Sequence, residues 1–420
     1  MKRLALAFPF LFLPIAAQAS DSVWVQAVTN GFEARLVTTA PACPNLHTDK
    51  GEVAMTVRAA ATANFPQICA AAIPTGTVSA SIAGAPVPLP VAAPQRILVL
   101  GDTGCVIKGA TSQACNDPAK WPFPPLAAAA AGLKPDLVIH VGDYLYRESP
   151  CPAGADGCTG SPWGDNWTTW EADFYTPAAP LLAAAPIVLV RGNHEACSRS
   201  GPGWLRLQGP SSFDPAAPCI PHLPVYSVEL GALRLAVMDD ASAQETDITR
   251  DGAPVYAAEL TGLAAIPAPV WFVHHRPIWA AITGPLGIPI GGNLTLIDAI
   301  RIAALKGGPL VAPNVELMLS GHIHTFQAIN YDPETHVPPQ VVAGFGGDRL
   351  DPTPTSLRGA IFQGSSGVHV EDGLSIGGFG FLLMTRMEEG WRLDVYDAHG
   401  RITRVCQFRK TRLDCPRPKH

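Results

Sequence analysis

The chain has 420 residues, of which 47% are hydrophobic and 15% are charged, so it is long enough for one large domain with a full core and a small second unit. Its formal net charge of −6 does not favour nucleic acid as a partner. Beyond the N-terminal leader, no segment is apolar for long enough to predict a membrane helix.

The N-terminal residues predict a cleavable export signal. Lys2 and Arg3 precede an apolar run over residues 4–15, and an A-x-A cleavage site follows at residues 17–19. The apolar run is short for a membrane span and contains prolines. We therefore expect a signal peptide over residues 1–19 and a mature protein that is secreted or periplasmic.

Residues 20–94 predict a small β-rich N-terminal unit. Short β-type runs occur at residues 34–38 and 53–57, and the unit ends in a Pro-rich linker over residues 86–94. No motif in this unit carries recognisable chemistry. We expect a small β module that packs on the main domain.

Residues 95–400 predict the main domain. Apolar runs recur there between Ala- and Pro-rich stretches, and such runs indicate strands that are buried on both faces of a layered α/β fold. The predicted strands are residues 97–100, 137–141, 187–190, 233–238, 270–273, 315–319, 341–343, 379–384 and 391–396. The segment 147–170, rich in Gly, Pro, Cys and Trp, is expected to shape a binding site. Residues 401–420 are basic and predict a solvated tail.

The ten cysteines predict disulfides, because an even number of cysteines accompanies an export signal. The sequence does not determine their connectivity, but short loops favour pairing between near neighbours. The expected pairs are Cys43–Cys69, Cys105–Cys115, Cys151–Cys158, Cys197–Cys219 and Cys406–Cys415. A cysteine metal site is not favoured, since the chain has no C-x-x-C spacing.

Five predicted strands end in residues that can bind a metal ion. The motifs, in chain order, are GDTG at 101–104, GDYLY at 142–146, RGNHE at 191–195, HHRP at 274–277 and GHIH at 321–324. Open α/β sheets bind ligands at the carboxyl edge of their strands. Two neighbouring ions need a bridging carboxylate, and these motifs supply carboxylates, an amide and imidazoles without any thiol. The pattern therefore predicts a metal cluster.

The five motifs occur in the order typical of the calcineurin-like metallophosphoesterase superfamily, which the chain resembles from about Gln95 to His399. The resemblance implies an α/β fold in which a β-sandwich is flanked by helices on both sides (αββα). Two details resemble the purple acid phosphatase branch. Asp102-Thr103-Gly104 lacks the histidine that many relatives place two residues after the aspartate, and the second motif matches G-D-x-x-Y, which ends at Tyr146.

The resemblance implies two metal ions, Fe(III) and a divalent Fe, Zn or Mn ion, bridged by Asp143. The implied ligands are Asp102, Asp143, Tyr146 and His324 for Fe(III), and Asp143, Asn193, His275 and His322 for the divalent ion. His275 is preferred to His274 because His275-Arg276-Pro277 fits the H-x-P pattern of the family.

The resemblance also places His194 near the phosphate, where it is expected to protonate the leaving group or stabilise the transition state, with Glu195 to orient it. Weaker candidates for a supporting or substrate-contacting role are His222, His274 and Tyr144.

The implied reaction is hydrolysis of a small-molecule phosphate monoester by an acid phosphatase. A phosphodiesterase or nucleotidase on the same metal site is an alternative, because the motifs do not include the walls of the substrate pocket. A third possibility is an inactive protein that binds phosphate or a partner, although every expected ligand position and His194 are filled. Neither nucleic acid nor a membrane is expected as a partner.

Overall fold

The computed structural model of the chain describes residues 21–246, 251–304, 309–364 and 367–416. The export signal predicted over residues 1–19 and the last four residues of the predicted tail lie outside these ranges. No helix in the described ranges is both long enough and apolar enough to cross a membrane.

Strands are the main secondary structure of the described residues. In chain order they are β1 (Ser22–Val28), β2 (Gly31–Thr38), β3 (Asn45–Thr48), β4 (Gly51–Ala54), β5 (Thr56–Ala59), β6 (Gln67–Ala72), β7 (Ala80–Ile82), β8 (Ala85–Pro86), β9 (Arg96–Leu100), β10 (Ile107–Lys108), β11 (Thr111–Ser112), β12 (Leu137–His140), β13 (Ile187–Leu189), β14 (Tyr226–Leu230), β15 (Leu233–Val237), β16 (Val270–Val273), β17 (Ala281–Thr283), β18 (Pro289–Gly291), β19 (Val315–Ser320), β20 (Phe326–Tyr331), β21 (Gln340–Ala343), β22 (Ile361–Phe362), β23 (Val370–Ile376), β24 (Gly380–Arg386), β25 (Trp391–Asp397), β26 (Ile402–Arg409) and β27 (Arg412–Asp414).

Helices are fewer and shorter. The α-helices are α1 (Phe123–Gly132), α2 (Trp167–Trp170), α3 (Thr176–Ala184), α4 (Gly201–Leu207), α5 (Ala253–Gly262) and α6 (Leu294–Ala304). A π-helix, Glu171–Tyr175, joins α2 to α3 without a break. Short 3-10 turns lie at Asn193–Glu195, Leu263–Ala265, Pro285–Gly287 and Pro333–Thr335.

Two large sheets pack face to face to form the predicted sandwich. The first has eleven strands in the order β27-β26-β25-β24-β9-β12-β13-β1-β2-β6-β5, and the second has seven in the order β14-β15-β16-β19-β21-β20-β23. Ile97 and Val99 of β9 pack between the sheets with Trp271, whereas Leu98 and Leu100 belong to the core on the other face. Because strand side chains alternate between faces, a continuous apolar run is buried on both.

Helices cover the outer face of each sheet. Leu126 of α1 and Leu181 of α3 pack on the first sheet, and Tyr256 of α5 and Ile297 of α6 pack on the second. The layer order is therefore helix, sheet, sheet, helix, which confirms the αββα expectation. All nine strands predicted in the main domain are present, with ends that differ by at most two residues.

The N-terminal segment is β-rich and packs on the main domain as expected, but four of its strands do so by extending the first sheet. β1 pairs in parallel with β13, and β2, β6 and β5 continue the sheet beyond it. Only β3, β4, β7 and β8 form a small separate sheet. The fully buried Arg35 donates to the carbonyls of Leu207 and Gly209. The N-terminal segment also has a hydrophobic cluster of its own, which includes Leu46 and Ile82 and ends at the Pro-rich stretch 86–94.

The basic C-terminal segment also differs from the expected solvated tail. β26 and β27 form the edge of the first sheet, where Phe408 and Leu413 are buried in its core. In the sequence, Arg404, Arg409 and Arg412 obscure the alternation of buried and exposed residues along these strands. Charged residues are common on edge strands because they discourage pairing with other chains. The disulfide Cys406–Cys415 joins the two strands, and all five predicted cysteine pairs are confirmed.

Candidate metal centre

The five motifs meet because their strands are neighbours. β9, β12 and β13 lie side by side in the first sheet, and β16 and β19 lie side by side in the second. Each pair of neighbours is parallel, so their carboxyl ends point to one edge of the sandwich. The residues that follow these strands therefore converge from both sheets.

Sharp turns after the strands set the direction of the predicted metal ligands. Asp102, Asp143 and His322 have φ angles of 57°, 60° and 68°, in the left-handed region that non-glycine residues rarely adopt. Such strain costs about 1–3 kcal/mol per residue and is concentrated at functional sites. Position 192 of the RGNHE motif requires glycine because a Cβ there would lie 2.1 Å from Asp143 Oδ1.

Four donor atoms form a first group around the Tyr146 hydroxyl. This oxygen lies 2.9 Å from Asp143 Oδ2, 3.1 Å from Asp102 Oδ1 and 3.2 Å from His324 Nε2. His324 Nε2 is also 3.3 Å from Asp102 Oδ1. All but His324 are buried, so the group consists of hard oxygen donors and one imidazole in a shielded position.

A second group shares Asp143. His275 Nε2 lies 3.3 Å from Asp143 Oδ2 and 2.9 Å from Asn193 Oδ1. Donor atoms of Asp143, His275 and His322 all lie within 4.8 Å of one another, a spacing that can hold a metal ion. Asp143 thus belongs to both groups, as a bridging carboxylate would.

The histidine tautomers fit metal binding. Nδ1 of His275 donates to the carbonyl of Val141 at 2.8 Å, and Nδ1 of His324 donates to the carbonyl of Arg349 at 2.6 Å. Each bond places a proton on Nδ1 and directs Nε2 at the carboxylates, which is how proteins orient imidazole ligands.

The protonation of Asp143 also fits. Burial by itself would raise the pKa of this carboxyl, but His275 and His194 hold it far below its usual range, so the carboxylate is ionised.

A cleft of about 380 Å³ opens above the two groups. Its lining includes Asp143, Tyr146 and His322, together with Lys108 and Ile282. A small phosphorylated molecule fits a space of this size.

The sequence profile of the family described as calcineurin-like phosphoesterase matches residues 95–326, more than half of the chain. The chain belongs to the calcineurin-like phosphoesterase family. It is therefore a metal-dependent phosphoric ester hydrolase, and the donor groups described above are consistent with the metal ions that this family implies.

Solved structures show the same fold at low sequence identity. A purple acid phosphatase, PPD1, from seeds of yellow lupin (Lupinus luteus) is 12% identical with a TM-score of 0.52, and the match covers 91% of this chain and 73% of that one. The structure of PhoD is 11% identical with a TM-score of 0.54, and the match covers 95% and 92%. A search of curated proteins by sequence found no match.

His194 of the phosphoesterase site lies beside the first donor group. Its ring lies against Tyr146 with centroids 3.6 Å apart and planes tilted by 32°, and its Nε2 is 4.0 Å from Asp143 Oδ2. Glu148 Oε1 lies 2.9 Å from His194 Nδ1. Burial lowers the pKa of His194 below its usual value, although Asp143 and the hydrogen bond with Glu148 act in the opposite direction. The imidazole is thus placed to exchange a proton over the cleft.

The expectation that Glu195 orients His194 is wrong in this structure. Glu195 is fully buried and accepts hydrogen bonds from the backbone N–H groups of Gly192, Asp143, Tyr144 and Leu145. It therefore shapes the loop that carries Asp143. Glu148, which the sequence analysis did not select, takes the place beside His194. Its position two residues after Tyr146 is the only sequence signal that points to it.

Tyr144 and His222 do not contribute side chains to the cleft. The Tyr144 ring is fully buried, stacks on His140 and donates its hydroxyl to the Val190 carbonyl. Side chains in this loop alternate in direction, so Tyr144 faces the core and Tyr146 faces the donor groups. His222 bonds to Glu259 at 2.8 Å instead of entering the cleft.

His274 supports its neighbour from inside the sheet. It is buried with Nδ1 2.9 Å from Asp240 Oδ2, and Asp240 also accepts the backbone N–H of His275. The preference for His275 as the residue that reaches the donor groups agrees with this placement.

Three further acidic residues support the site from distant positions in the chain. Glu245 Oε1 is 3.0 Å from His322 Nε2, and Asp348 Oδ2 is 3.4 Å from His324 Nδ1. Asp173, in the π-helix, accepts the backbone N–H groups of Cys105 and Tyr146 and so ties two metal-binding loops together. None of these acids belongs to a motif, and only the tertiary structure brings them to the site.

Proposed function

We propose that the protein is an exported phosphatase with two metal ions that hydrolyses phosphate monoesters at acidic pH. The observation that carries this proposal is the Tyr146 hydroxyl, which lies within 3.2 Å of donor atoms from Asp102, Asp143 and His324. A phenolate is a hard anionic ligand that suits Fe(III). The likeness to the lupin enzyme concerns the fold, so the choice of this branch depends on Tyr146.

The two donor groups define which residues would hold the ions. Asp102, Asp143, Tyr146 and His324 would hold Fe(III), and Asp143, Asn193, His275 and His322 would hold a divalent Fe, Zn or Mn ion. When bound, such a pair supplies charge that neutralises phosphate oxygens and lowers the pKa of water, so that hydroxide is present at modest pH. The protein contributes the bridging Asp143 and the fixed imidazole orientations.

His194 completes the reaction by donating a proton to the leaving oxygen. Its Nδ1 faces the Glu148 carboxylate and its Nε2 lies 2.8 Å from Nη2 of Arg199, so these two side chains hold the ring at the edge of the cleft. Burial would raise the pKa of Glu148, but hydrogen bonds from His194 and Arg199 lower it to about 2. Glu148 is therefore an anion at working pH and stabilises the imidazolium that donates the proton.

The test compares a chromogenic phosphate monoester with the matching diester from acidic to alkaline pH, with a chelator-treated sample as the control. Faster monoester hydrolysis at acidic pH, abolished by the chelator, is expected. A preference for the diester, or an alkaline optimum, would indicate a phosphodiesterase or nucleotidase on the same site. Metal binding without any turnover would favour the inactive phosphate-binding alternative.

Two variants separate metal binding from proton transfer. Asp143→Asn should lose metal and activity together, because it removes the shared charge of both donor groups. His194→Ala should retain its metal, measured by elemental analysis, but lose rate on a poor leaving group. Full rate in His194→Ala on such a substrate would contradict the proton-donor role.

Export is proposed from the leader over residues 1–19 together with the five disulfides, which form and persist in oxidising compartments. N-terminal sequencing of the protein recovered from the periplasm or the medium should begin at Ser20.

A further inference from the structure

An uncharged segment directly follows the metal-binding loop of β16. Residues 277–297, between Arg276 and Asp298, contain no Asp, Glu, Lys or Arg. Part of this segment folds into the hairpin of β17 and β18, and β22 joins β18 in parallel to make a three-stranded sheet. This small sheet is anchored beside the cleft, since the Thr283 N–H donates to the carbonyl of Pro352 at 2.8 Å.

Three isoleucines lie in register across this sheet. Ile282 of β17 is directly opposite Ile290 of β18, which is opposite Ile361 of β22. Residues that are opposite one another on neighbouring strands project from the same face, so the three side chains form one row. We refer to Ile282, Ile290 and Ile361 as the isoleucine row.

The row is exposed to an unusual degree for isoleucine. The exposed fraction of the residue is 37% for Ile290 and 58% for Ile361, and the hairpin adds Ile288 at 41% and Leu286 at 97%. Single exposed apolar residues are common, but a group of them on one element marks a binding surface.

The isoleucine row begins inside the metal cleft. Ile282 lines the same cleft as Asp143 and His322, and so does Ile323, which lies between the two histidines of the GHIH motif. A molecule whose phosphate reached the metal-binding residues would therefore find an apolar track that leads from the cleft to the protein surface. Charged walls made by Lys108 and Arg349 border the same opening.

We propose that the isoleucine row binds the apolar chain of the substrate's leaving group. The enzyme then prefers phosphoesters of alcohols that carry an alkyl or acyl chain to phosphoesters of small polar alcohols. This inference rests on the proposed function and defines the substrate class of that site. Apolar area removed from water is the driving force, and its contribution grows with chain length.

The test measures binding of alkylphosphonates, from methyl to octyl, to the metal-loaded mature protein by calorimetry. These compounds are not hydrolysed, so the result does not depend on turnover. A fully buried methylene strengthens binding about fourfold. Because the track is half open, we expect the affinity to rise about twofold per methylene from butyl to octyl. The same series of alkyl phosphates, followed by phosphate release, should show a parallel rise in kcat/KM.

Two variants locate the effect. Ile290→Ser and Ile361→Ser should each reduce the ratio of octyl to methyl affinity several-fold. Val78→Ser is the matched control, since Val78 is 79% exposed in the N-terminal segment and should leave the ratio unchanged.

Affinity that is independent of chain length would overturn the inference, even if the enzyme hydrolyses phosphate monoesters. A chain-length effect that persists in both serine variants would also overturn it. A dimer in sedimentation that dissociates in Ile361→Ser, without any chain-length effect, would assign the surface to a second copy of the chain instead. Loss of the proposed function has a different signature, which is absence of hydrolysis for every ester in the series.

Discussion

The hydroxyl oxygen of Tyr146 lies 2.9 Å from Oδ2 of Asp143, the carboxylate that both donor groups share. Burial, followed by the charges of Asp143 and Asp102, raises the pKa of this phenol far above its usual value when no cation is present. A strongly polarising cation is what would make the phenolate favourable at this position. Tyr146 thus links the fold to the proposed Fe(III) chemistry.

Tyr146→Phe should abolish the visible charge-transfer absorption of the iron-loaded protein and weaken iron binding, because it removes one oxygen donor. The measurement is an absorption spectrum with metal analysis. Tyr144→Phe is the matched control, since its hydroxyl bonds to the Val190 carbonyl in the core. It should retain the colour and lose about 1 kcal/mol of stability. Unchanged colour in Tyr146→Phe would refute the ligand assignment.

Glu148→Gln should lower kcat on a poor leaving group by about 10–100-fold, because the imidazolium of His194 loses its compensating charge. Metal content should stay unchanged, since Glu148 is not one of the proposed ligands. The diagnostic measurement is the dependence of kcat on leaving-group pKa, which should steepen. The double variant with His194→Ala should be no slower than His194→Ala alone, and an additive loss would show that Glu148 acts elsewhere.

Asp173→Asn should destabilise the protein by about 3–5 kcal/mol, because it leaves the buried Arg147 guanidinium without its partner carboxylate at 2.9 Å. It should also shift the charge-transfer band, since Asp173 accepts the backbone N–H of Tyr146. Urea denaturation and absorption spectroscopy measure the two effects. The exposed Asp156→Asn is the control and should stay within about 0.5 kcal/mol of the parent protein. A fully stable Asp173→Asn protein would contradict the packing argument.

Asp165 should make stability fall as the pH rises from about 4 to 6. Burial raises the pKa of this carboxyl to about 6, although Trp170 and Gly203 donate hydrogen bonds to it. In that window the folded state retains a proton that the unfolded state has released, so the free energy of unfolding decreases with pH and then levels off. The full shift in this pKa corresponds to a change of at most about 3 kcal/mol in the free energy of unfolding.

The measurement for Asp165 is the difference in unfolding free energy between the parent protein and Asp165→Asn at several pH values. Other titrating groups cancel in this difference. It should change between pH 4 and 6 and stay constant above pH 7. A difference that does not vary with pH would show that the carboxyl titrates normally in the folded state.

The sequence by itself determined the strands of the sandwich and the residues that follow them. Continuous apolar runs such as 97–100 and 270–273 are buried on both faces, and this local signal does not depend on the partner strand. The convergence of Asp102, Asp143 and His275 was predictable for the same reason, since these residues follow soon after such runs. Cysteine pairing was also predictable, because each pair closes a short loop.

Tertiary structure decided where the remaining segments pack and which groups support the site. Arg404 and Arg409 lie in an edge strand that the sequence pattern did not predict. The exposed face of such a strand tolerates charged residues even though its other face is buried. Glu148 lies beside His194, whereas Glu195 bonds to the backbone of the loop that carries Asp143. A linear pattern does not show which of two nearby carboxylates a side chain faces. The isoleucine row depends on register between strands 70 residues apart, and only the folded chain brings its members together.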